Sequence, residues 1–188
     1  MFLELTDTKV GGLGTFLLNT DEISHIIEDA NDAVVVCLKH TQDTIAVSQT
    51  MAQVFDQQDS DNRHLGMIKV VNSATSLTEI WFKKDLLMII EKAGGGSTLV
   101  HKTRKNNIDT ALTLANILDY QGATAANTNK DLGLVLATLK SNNKQVLFID
   151  DNIRSIVASG SDSIINMVGT SSHLVDETVT VLRDKMPT

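Results

Sequence analysis

Apolar residues recur along the chain in one pattern that appears three times. When the pattern is aligned, Ile23, Leu86 and Ile153 correspond, at steps of 63 and 67 residues. Each copy also ends in a threonine followed six positions later by an aspartate, and the three pairs are Thr50/Asp56, Thr113/Asp119 and Thr178/Asp184. A fixed period of this size is typical of tandem structural units. We therefore expect three repeat units, at residues 1–58, 65–121 and 132–188.

Short alternating apolar runs, separated by polar or glycine-rich turns, predict four or five β-strands in each copy. The last run of each copy has a spacing of three and four residues, which predicts a short helix. Ser48 or Thr50 is the expected cap of the first helix, and the others are expected at Ala111–Asp119 and from Asp176 to about Lys185. The predicted fold class is mainly β (α+β), with three tandem antiparallel units that are barrel-like or meandering, each closed by a C-terminal helix.

Two polar segments without apolar periodicity, Gln57–Gly66 and Gln121–Asp131, are predicted linkers between the copies. Units of about 60 residues bury only about 60% of the surface of their unfolded chains and are marginally stable alone. We therefore expect the three units to pack on one another or on a partner protein.

Composition narrows the setting of the protein. The chain has no run of 18 apolar residues, which predicts no membrane-spanning helix. Its first residues lack the basic and apolar regions of a signal peptide, so a cytoplasmic location is expected. Cys37 is the only cysteine and lies in the apolar run Ala33–Leu38, so we expect a buried core thiol and no disulfide.

Charge is distributed unevenly over the three copies. The net charge is −7 for the whole chain, and the copies carry −7, +2 and −1 in order. A negative total disfavours a general nucleic-acid-binding protein, whose affinity depends on lysine and arginine displacing counterions. An acidic first copy beside a basic second copy could set orientation within the molecule or between molecules.

The second copy carries the one local basic cluster, which is our candidate interaction patch: Lys83, Lys84, Lys92, Lys102, Arg104 and Lys105. Three interpretations remain open: a solvated hairpin tip, a contact with an acidic protein surface, or a contact with RNA or DNA. The third is the weakest because aromatic residues that could stack on bases are nearly absent apart from Trp81 and Phe82.

The remaining motifs favour structural roles. Gly11–Gly14 lacks the ending of a phosphate-binding loop and joins two predicted strands, so we expect a hairpin turn. Asp150–Asn152 lacks the alternating ligands of a calcium site and is expected to be a turn. The histidines form no metal-binding pattern, and no serine or cysteine has a base nearby in a recognisable motif. The sequence therefore predicts no enzyme activity, no cofactor and no metal site.

A single copy resembles the small flagellar and swarming-motility proteins of the FlbD/SwrD type, whose length is about that of one copy, and similar small proteins of tailed phages. Copy one matches at Leu3–Thr6, Phe16–Asn19, Ile23–Glu28, Val34–Leu38 and Thr44–Val54. Copy three matches at Leu136–Leu139, Val146–Ile149, Ile153–Ile156 and Val175–Val179. The resemblance implies a small non-enzymatic interaction module without catalytic residues.

Pattern, composition and resemblance together predict a non-enzymatic assembly or interaction protein, a component of a bacteriophage virion or of a host-takeover complex. Its expected partners are other proteins or further copies of itself, without a membrane. Three linked copies could imitate a trimer of single units and occupy a threefold position. The alternative is a nucleic-acid-binding regulator that uses the basic second copy.

Overall fold

The computed structural model describes residues 2–29, 31, 33–41, 43–57, 66–102, 107–120, 133–169 and 171–186. This part of the chain is mainly β, with antiparallel sheets and three short helices. The mainly β, antiparallel class predicted from the sequence is therefore confirmed. The chain divides into two compact units, Met1–Phe82 and Lys83–Thr188.

The same order of elements, five strands and a helix, occurs three times along the chain. The first set is β1 (Phe2–Thr6), β2 (Thr15–Asn19), β3 (Ile23–Glu28), β4 (Val34–Leu38), β5 (Thr44–Val47) and α1 (Met51–Asp56). The second is β6 (Met67–Val71), β7 (Thr78–Phe82), β8 (Leu86–Glu91), β9 (Ser97–His101), β10 (Ile108–Thr110) and α2 (Leu114–Tyr120). The third is β11 (Leu134–Thr138), β12 (Gln145–Ile149), β13 (Ile153–Ser159), β14 (Asp162–Met167), β15 (Ser172–Val175) and α3 (Val179–Lys185).

Each set contains a hairpin, formed by its first two strands, and a meander, formed by the next three. A three-residue 3-10 turn joins the two parts, at Thr20–Glu22, Lys83–Asp85 and Asp150–Asn152. The third strand of each set then begins with a β-bulge, between Ile23 and His25, Leu86 and Met88, and Ile153 and Ser155. The sequence alignment on Ile23, Leu86 and Ile153 thus places three equivalent bulges at the same point.

The threonine of each repeated threonine–aspartate pair lies at the start of a helix. The Thr50 side chain accepts a hydrogen bond from the Gln53 backbone and forms a capping box. Thr113 and Thr178 cap the other two helices in the same way, accepting from the N–H three residues on. The predicted starts at Ala111 and Asp176 are wrong. The helices begin at Leu114 and Val179, each directly after its capping threonine.

The first compact unit contains the hairpin β1–β2 and a five-stranded sheet with the order β5-β4-β3-β7-β6. A backbone bridge between Asp7 and Val47 links the hairpin to β5. Its core is a cluster of buried apolar residues from both sheets and from α1: Leu3, Leu5, Ile23, Ile26, Val34, Val36, Val47, Met51, Val54, Met67, Ile80 and Phe82.

The second compact unit contains a five-stranded sheet with the order β10-β9-β8-β12-β11 and the three-stranded sheet β13-β14-β15. A bridge between Leu139 and Val175 is equivalent to the one in the first unit. The core of this unit is a second apolar cluster: Met88, Val135, Ala137, Leu139, Val146, Phe148, Ile165, Met167, Val175 and Leu182.

The sheets do not follow the boundaries of the sequence copies. Strand β7 belongs to the second copy but pairs with β3 of the first, and β12 of the third copy pairs with β8 of the second. Each five-stranded sheet therefore combines the meander of one copy with the hairpin of the next. The sheets formed by the described strands are open, and none of them closes into a barrel.

Two local predictions have opposite outcomes. The glycine run Gly94–Gly96 forms a turn between β8 and β9, with positive φ at all three residues, in agreement with the glycine-rich turns predicted between strands. Cys37 is half-buried, so the predicted core position is wrong. The reason is the period of two in β4, which directs Val34 and Val36 into the core and Cys37 to the opposite face.

Candidate interaction surfaces

The structure describes four of the six residues in the predicted basic patch, and they lie at two ends of a hairpin. Lys83 and Lys84 are in the 3-10 turn before β8, and Lys102 directly follows β9, with its N–H donating to the Asp85 carbonyl at 2.9 Å. Lys92 lies beyond the other end of β8, six residues or roughly 20 Å away along the strand. Arg104 and Lys105 lie outside the described residues, so the patch as a whole stays a prediction.

Lys92 is already engaged within its own sheet. Its Nζ lies 2.7 Å from Asp109 Oδ2, and Thr98 donates to Oδ1 of the same carboxylate at 2.7 Å. These bonds, first that from Lys92 and then that from Thr98, hold the pKa of Asp109 below its ordinary value. Since Asp109 compensates the charge of Lys92, this lysine offers little attraction to an anionic partner.

A second kind of surface is the edge at which a hairpin adds to the preceding meander. Strand β7 meets β3 through the pairs His25–Trp81, Ile26–Ile80 and Ile27–Glu79. Strand β12 meets β8 through the pairs Met88–Phe148, Ile89–Leu147 and Ile90–Val146. When the copies are aligned on their bulges, these pairs occupy the same positions, so the two junctions have the same register.

The centre of each junction is apolar and excludes water. All four residues of the central pairs, Ile26–Ile80 and Ile89–Leu147, are 0% exposed. At the first junction the His25 ring stacks on Trp81, with centroids 4.5 Å apart. The indole Nε1 donates to Glu79 Oε2 at 2.6 Å, which satisfies this buried carboxylate. The hairpin is thus joined to the meander by backbone pairing and by side-chain burial together.

The docked hairpin also contributes one face to the core of the meander that it joins. Met67, Ile80 and Phe82 belong to the same buried cluster as Ile23 and Val36 of the first copy. The corresponding residues of the third-copy hairpin, Leu134, Leu147 and Ile149, are buried to the same degree. We call this set of three positions the docking face of a hairpin.

The first hairpin exposes two of its three docking-face positions to solvent, and the third, equivalent to Phe82, is the partly buried Asn19. By strand register, Phe2 and Leu17 are the equivalents of Met67 and Ile80, yet they are 63% and 67% exposed. No residue of β2 is buried, whereas four residues of β7 and four of β12 are. In the described part of the chain β2 pairs with β1 only.

The last meander shows the complementary exposure. Strand β13 pairs with β14 only among the described strands. Ile156, the equivalent of the fully buried Ile26 and Ile89, is only partly buried, and Val157 is 51% exposed. The first described hairpin is therefore undocked, and no described hairpin is added to the last described meander.

These exposed positions were not among the predicted site residues. Leu17 and Val157 lie in short apolar runs, which predicted strands without indicating an exposed position. The signal that could have revealed them is the offset pairing of copies, because each described junction joins a hairpin to the meander of the preceding copy.

The other predicted turns have structural roles. Gly11–Gly14 joins β1 to β2, as predicted for a hairpin turn. Asp150–Asn152 forms a 3-10 turn in which buried Asn152 donates its amide to the Leu86 carbonyl at 2.6 Å. Within the described residues, no three His, Cys, Asp or Glu side chains are grouped so that they could hold a metal ion. None of the helices described is both long enough and apolar enough to cross a membrane.

Comparison with known proteins found no match to the chain among protein-family models, curated proteins or solved structures.

Proposed function

We propose that the chain is a non-enzymatic assembly protein whose repeats join by strand addition. The observation that carries this proposal is the repeated junction, in which a hairpin docks twice on the preceding meander in the same register while the first hairpin exposes two of its three docking-face positions. A surface that combines free strand edges with exposed apolar side chains is typical of a protein-interaction site.

Three barrel-like units at residues 1–58, 65–121 and 132–188 are part of this proposal. The bridges Asp7–Val47 and Leu139–Val175 support it for the first and third copies, because each bridge connects the hairpin and the meander of one copy. The resemblance to FlbD/SwrD-type proteins and to small tailed-phage proteins agrees with an interaction module. We assign the protein on this basis to a phage virion or a host-takeover complex in the host cytoplasm.

Cross-linking in cells followed by mass spectrometry tests the assembly function. A tagged full-length chain is expected to cross-link to itself or to a defined protein of a particle or complex, with links that involve β1, β2 or β13. Recovery of the chain without any protein link would contradict the function. The flanking genes test the origin separately. Neighbouring capsid or tail genes would support a phage origin, whereas a neighbourhood of metabolic genes would contradict it.

Nucleic-acid binding through the basic second copy is the rival function, and salt dependence separates the two. Fluorescence anisotropy with a single-stranded and a double-stranded oligonucleotide would show affinity falling steeply between about 50 and 200 mM salt if phosphates were contacted. Lys102→Glu would then abolish binding, while Lys9→Glu, which changes an exposed lysine of the first copy, would leave it. We expect no binding in any of these samples.

A further inference from the structure

We propose that chains of this protein associate head to tail, with the first hairpin of one chain adding to β13 of a second copy of the same chain. This inference rests on the proposed assembly function and names its partner. The edge of β2 provides the hairpin side of the contact, and the edge of β13 provides the meander side.

The two internal junctions determine the register of the contact. Their equivalent positions in β13 and β2 give the pairs Ser155–Leu18, Ile156–Leu17 and Val157–Phe16 between chains. The central pair, Ile156–Leu17, takes the place of Ile26–Ile80 and Ile89–Leu147, which are fully buried. The predicted contact therefore buries two side chains that are now partly or largely exposed.

The side chains of these three pairs suit a buried junction. Five of the six residues are apolar and the sixth is serine, so that no charge is buried. Phe2 occupies the docking-face position that Met67 occupies in the second hairpin. In the contact it would be buried against the meander of the second chain, as Met67 is buried in the core of the first unit. Arg154, the charged residue within β13, lies at the bulge and outside the three pairs.

A second molecule of the same chain fits the edge of β13 better than an unrelated strand does. A generic strand can satisfy the backbone groups of β13, but the apolar positions must also match those of a docked hairpin. The first hairpin has apolar residues at two of the three docking-face positions, and the other two hairpins described in this chain are already docked. The contact is heterologous, so it generates a ring where its rotation closes and a filament where it does not.

Sedimentation of the full-length chain, combined with a charge at each edge, tests the inference. The wild type is expected to have an average mass above the 20.4 kDa of one chain, rising with concentration. Leu17→Lys and Val157→Lys should each weaken association by about tenfold or more, since lysine on an edge blocks strand addition. Leu13→Lys and Val168→Lys are the matched controls, with exposures of 64% and 53%, and should associate as the wild type does.

Mixing the two variants makes the test directional. The Leu17→Lys chain keeps an intact β13 edge, and the Val157→Lys chain keeps an intact first hairpin. Each alone should sediment as one chain, whereas their mixture should form dimers and nothing larger. Equal association of the wild type and both edge variants would overturn the inference, as would a mixture that stays monomeric.

Disulfide trapping identifies closure within one chain. In a Cys37→Ser background, Leu17→Cys combined with Ile156→Cys should form links between chains, seen as a ladder on a non-reducing gel. A disulfide formed only within single chains would overturn the inference, because the first hairpin would then occupy the edge of β13 in its own chain. A chain that stays monomeric but cross-links to another protein in cells defeats this inference alone and leaves the assembly function in place.

Discussion

At the scale of single residues, Asn152 shows how a polar side chain is used inside the fold. It is 1% exposed and its amide donates to the Leu86 carbonyl, which connects the turn before β13 to the start of β8. The sequence predicted a turn at Asp150–Asn152, and the structure has one there. The buried environment of the Asn152 side chain is what the sequence alone did not supply.

Replacing Asn152 by alanine should destabilise the protein by about 1–3 kcal/mol, because a buried carbonyl loses its hydrogen-bond donor. Urea unfolding followed by circular dichroism measures this change. Asn166→Ala is the control, since the amide of Asn166 bonds to Ser155 in an exposed position, and it should change stability by less than about 0.5 kcal/mol. Equal effects of the two substitutions would contradict the structural role of Asn152.

His173 is the residue that we expect to make stability depend on pH. It lies on β15 opposite Ile165, where the first two copies have Ile45 and Ile108. Its Nε2 is buried without a hydrogen-bond partner among the described residues, and its ring lies 5.5 Å from that of Phe148. Burial lowers the pKa of His173 below its ordinary value of 6.5.

The unfolded chain therefore takes up a proton at this residue at a higher pH than the folded chain does. The contribution of neutral His173 is fully present above about pH 6.5 and is lost as the pH falls from there towards the folded pKa. His173→Ile should flatten the fall in melting temperature between pH 7 and pH 5, while His40→Asn, at an exposed turn residue, should not. An unchanged profile in His173→Ile would contradict the assignment.

At the scale of elements, alternation and turn residues were enough to locate the strands. The apolar runs predicted four or five strands in each copy, and the structure has five in each. Thr50 was predicted as a possible cap of α1 and is its cap, whereas the predicted starts of α2 and α3 were three residues early, so that the capping threonines were included in the helices. The partner of each hairpin could not be predicted, because period-two patterning specifies which side chains share a face and not which strand lies next to the edge.

The glycine turn between β8 and β9 offers a test of one element by a matched pair. Gly95 and Gly96 both have positive φ, but a Cβ at Gly95 would meet no atom within 4 Å, while one at Gly96 would collide with the Thr110 carbonyl oxygen. Gly95→Ala should cost about 1–2 kcal/mol for the left-handed backbone alone. Gly96→Ala should cost an additional ~1–3 kcal/mol, because β10 must move to accommodate the methyl group.

Thermal or urea unfolding of the two glycine variants measures the difference between them. If Gly96→Ala lost no more stability than Gly95→Ala, the expected steric contact between a Cβ at residue 96 and β10 would be contradicted. The sequence predicted a turn here but could not distinguish the two glycines, because the difference arises from a contact between strands and not from the local chain.

At the scale of the whole molecule, the three repeat units stay a prediction, and the chain divides into two compact units with a boundary after Phe82. The apolar period identifies the segments that are repeated along the chain. It does not identify which strands pair, and the strand pairing crosses the boundaries between copies. A period cannot reveal that one part of each copy has been transferred to the neighbouring copy. The same offset produces the exposed first hairpin and the uncovered last meander.

The offset predicts that a fragment ending at residue 82 is the stable N-terminal unit and that a fragment ending at residue 58 is not. The core of the first unit includes Met67, Ile80 and Phe82, and β3 would lose its neighbour β7 in the shorter fragment. Each lost apolar side chain removes about 1.5–3 kcal/mol of burial, which is comparable with the whole stability of so small a domain.

Fragments 1–58, 1–66 and 1–82 can be compared by circular dichroism and by the dispersion of their amide NMR spectra. Only 1–82 should unfold cooperatively, and 1–66 shows that added length without the hairpin is insufficient. Cooperative unfolding of 1–58 at the same temperature as 1–82 would instead make the sequence copy the folding unit. In that case the hairpin would contribute pairing but little stability, and an exposed first hairpin would be no reason for chains to associate.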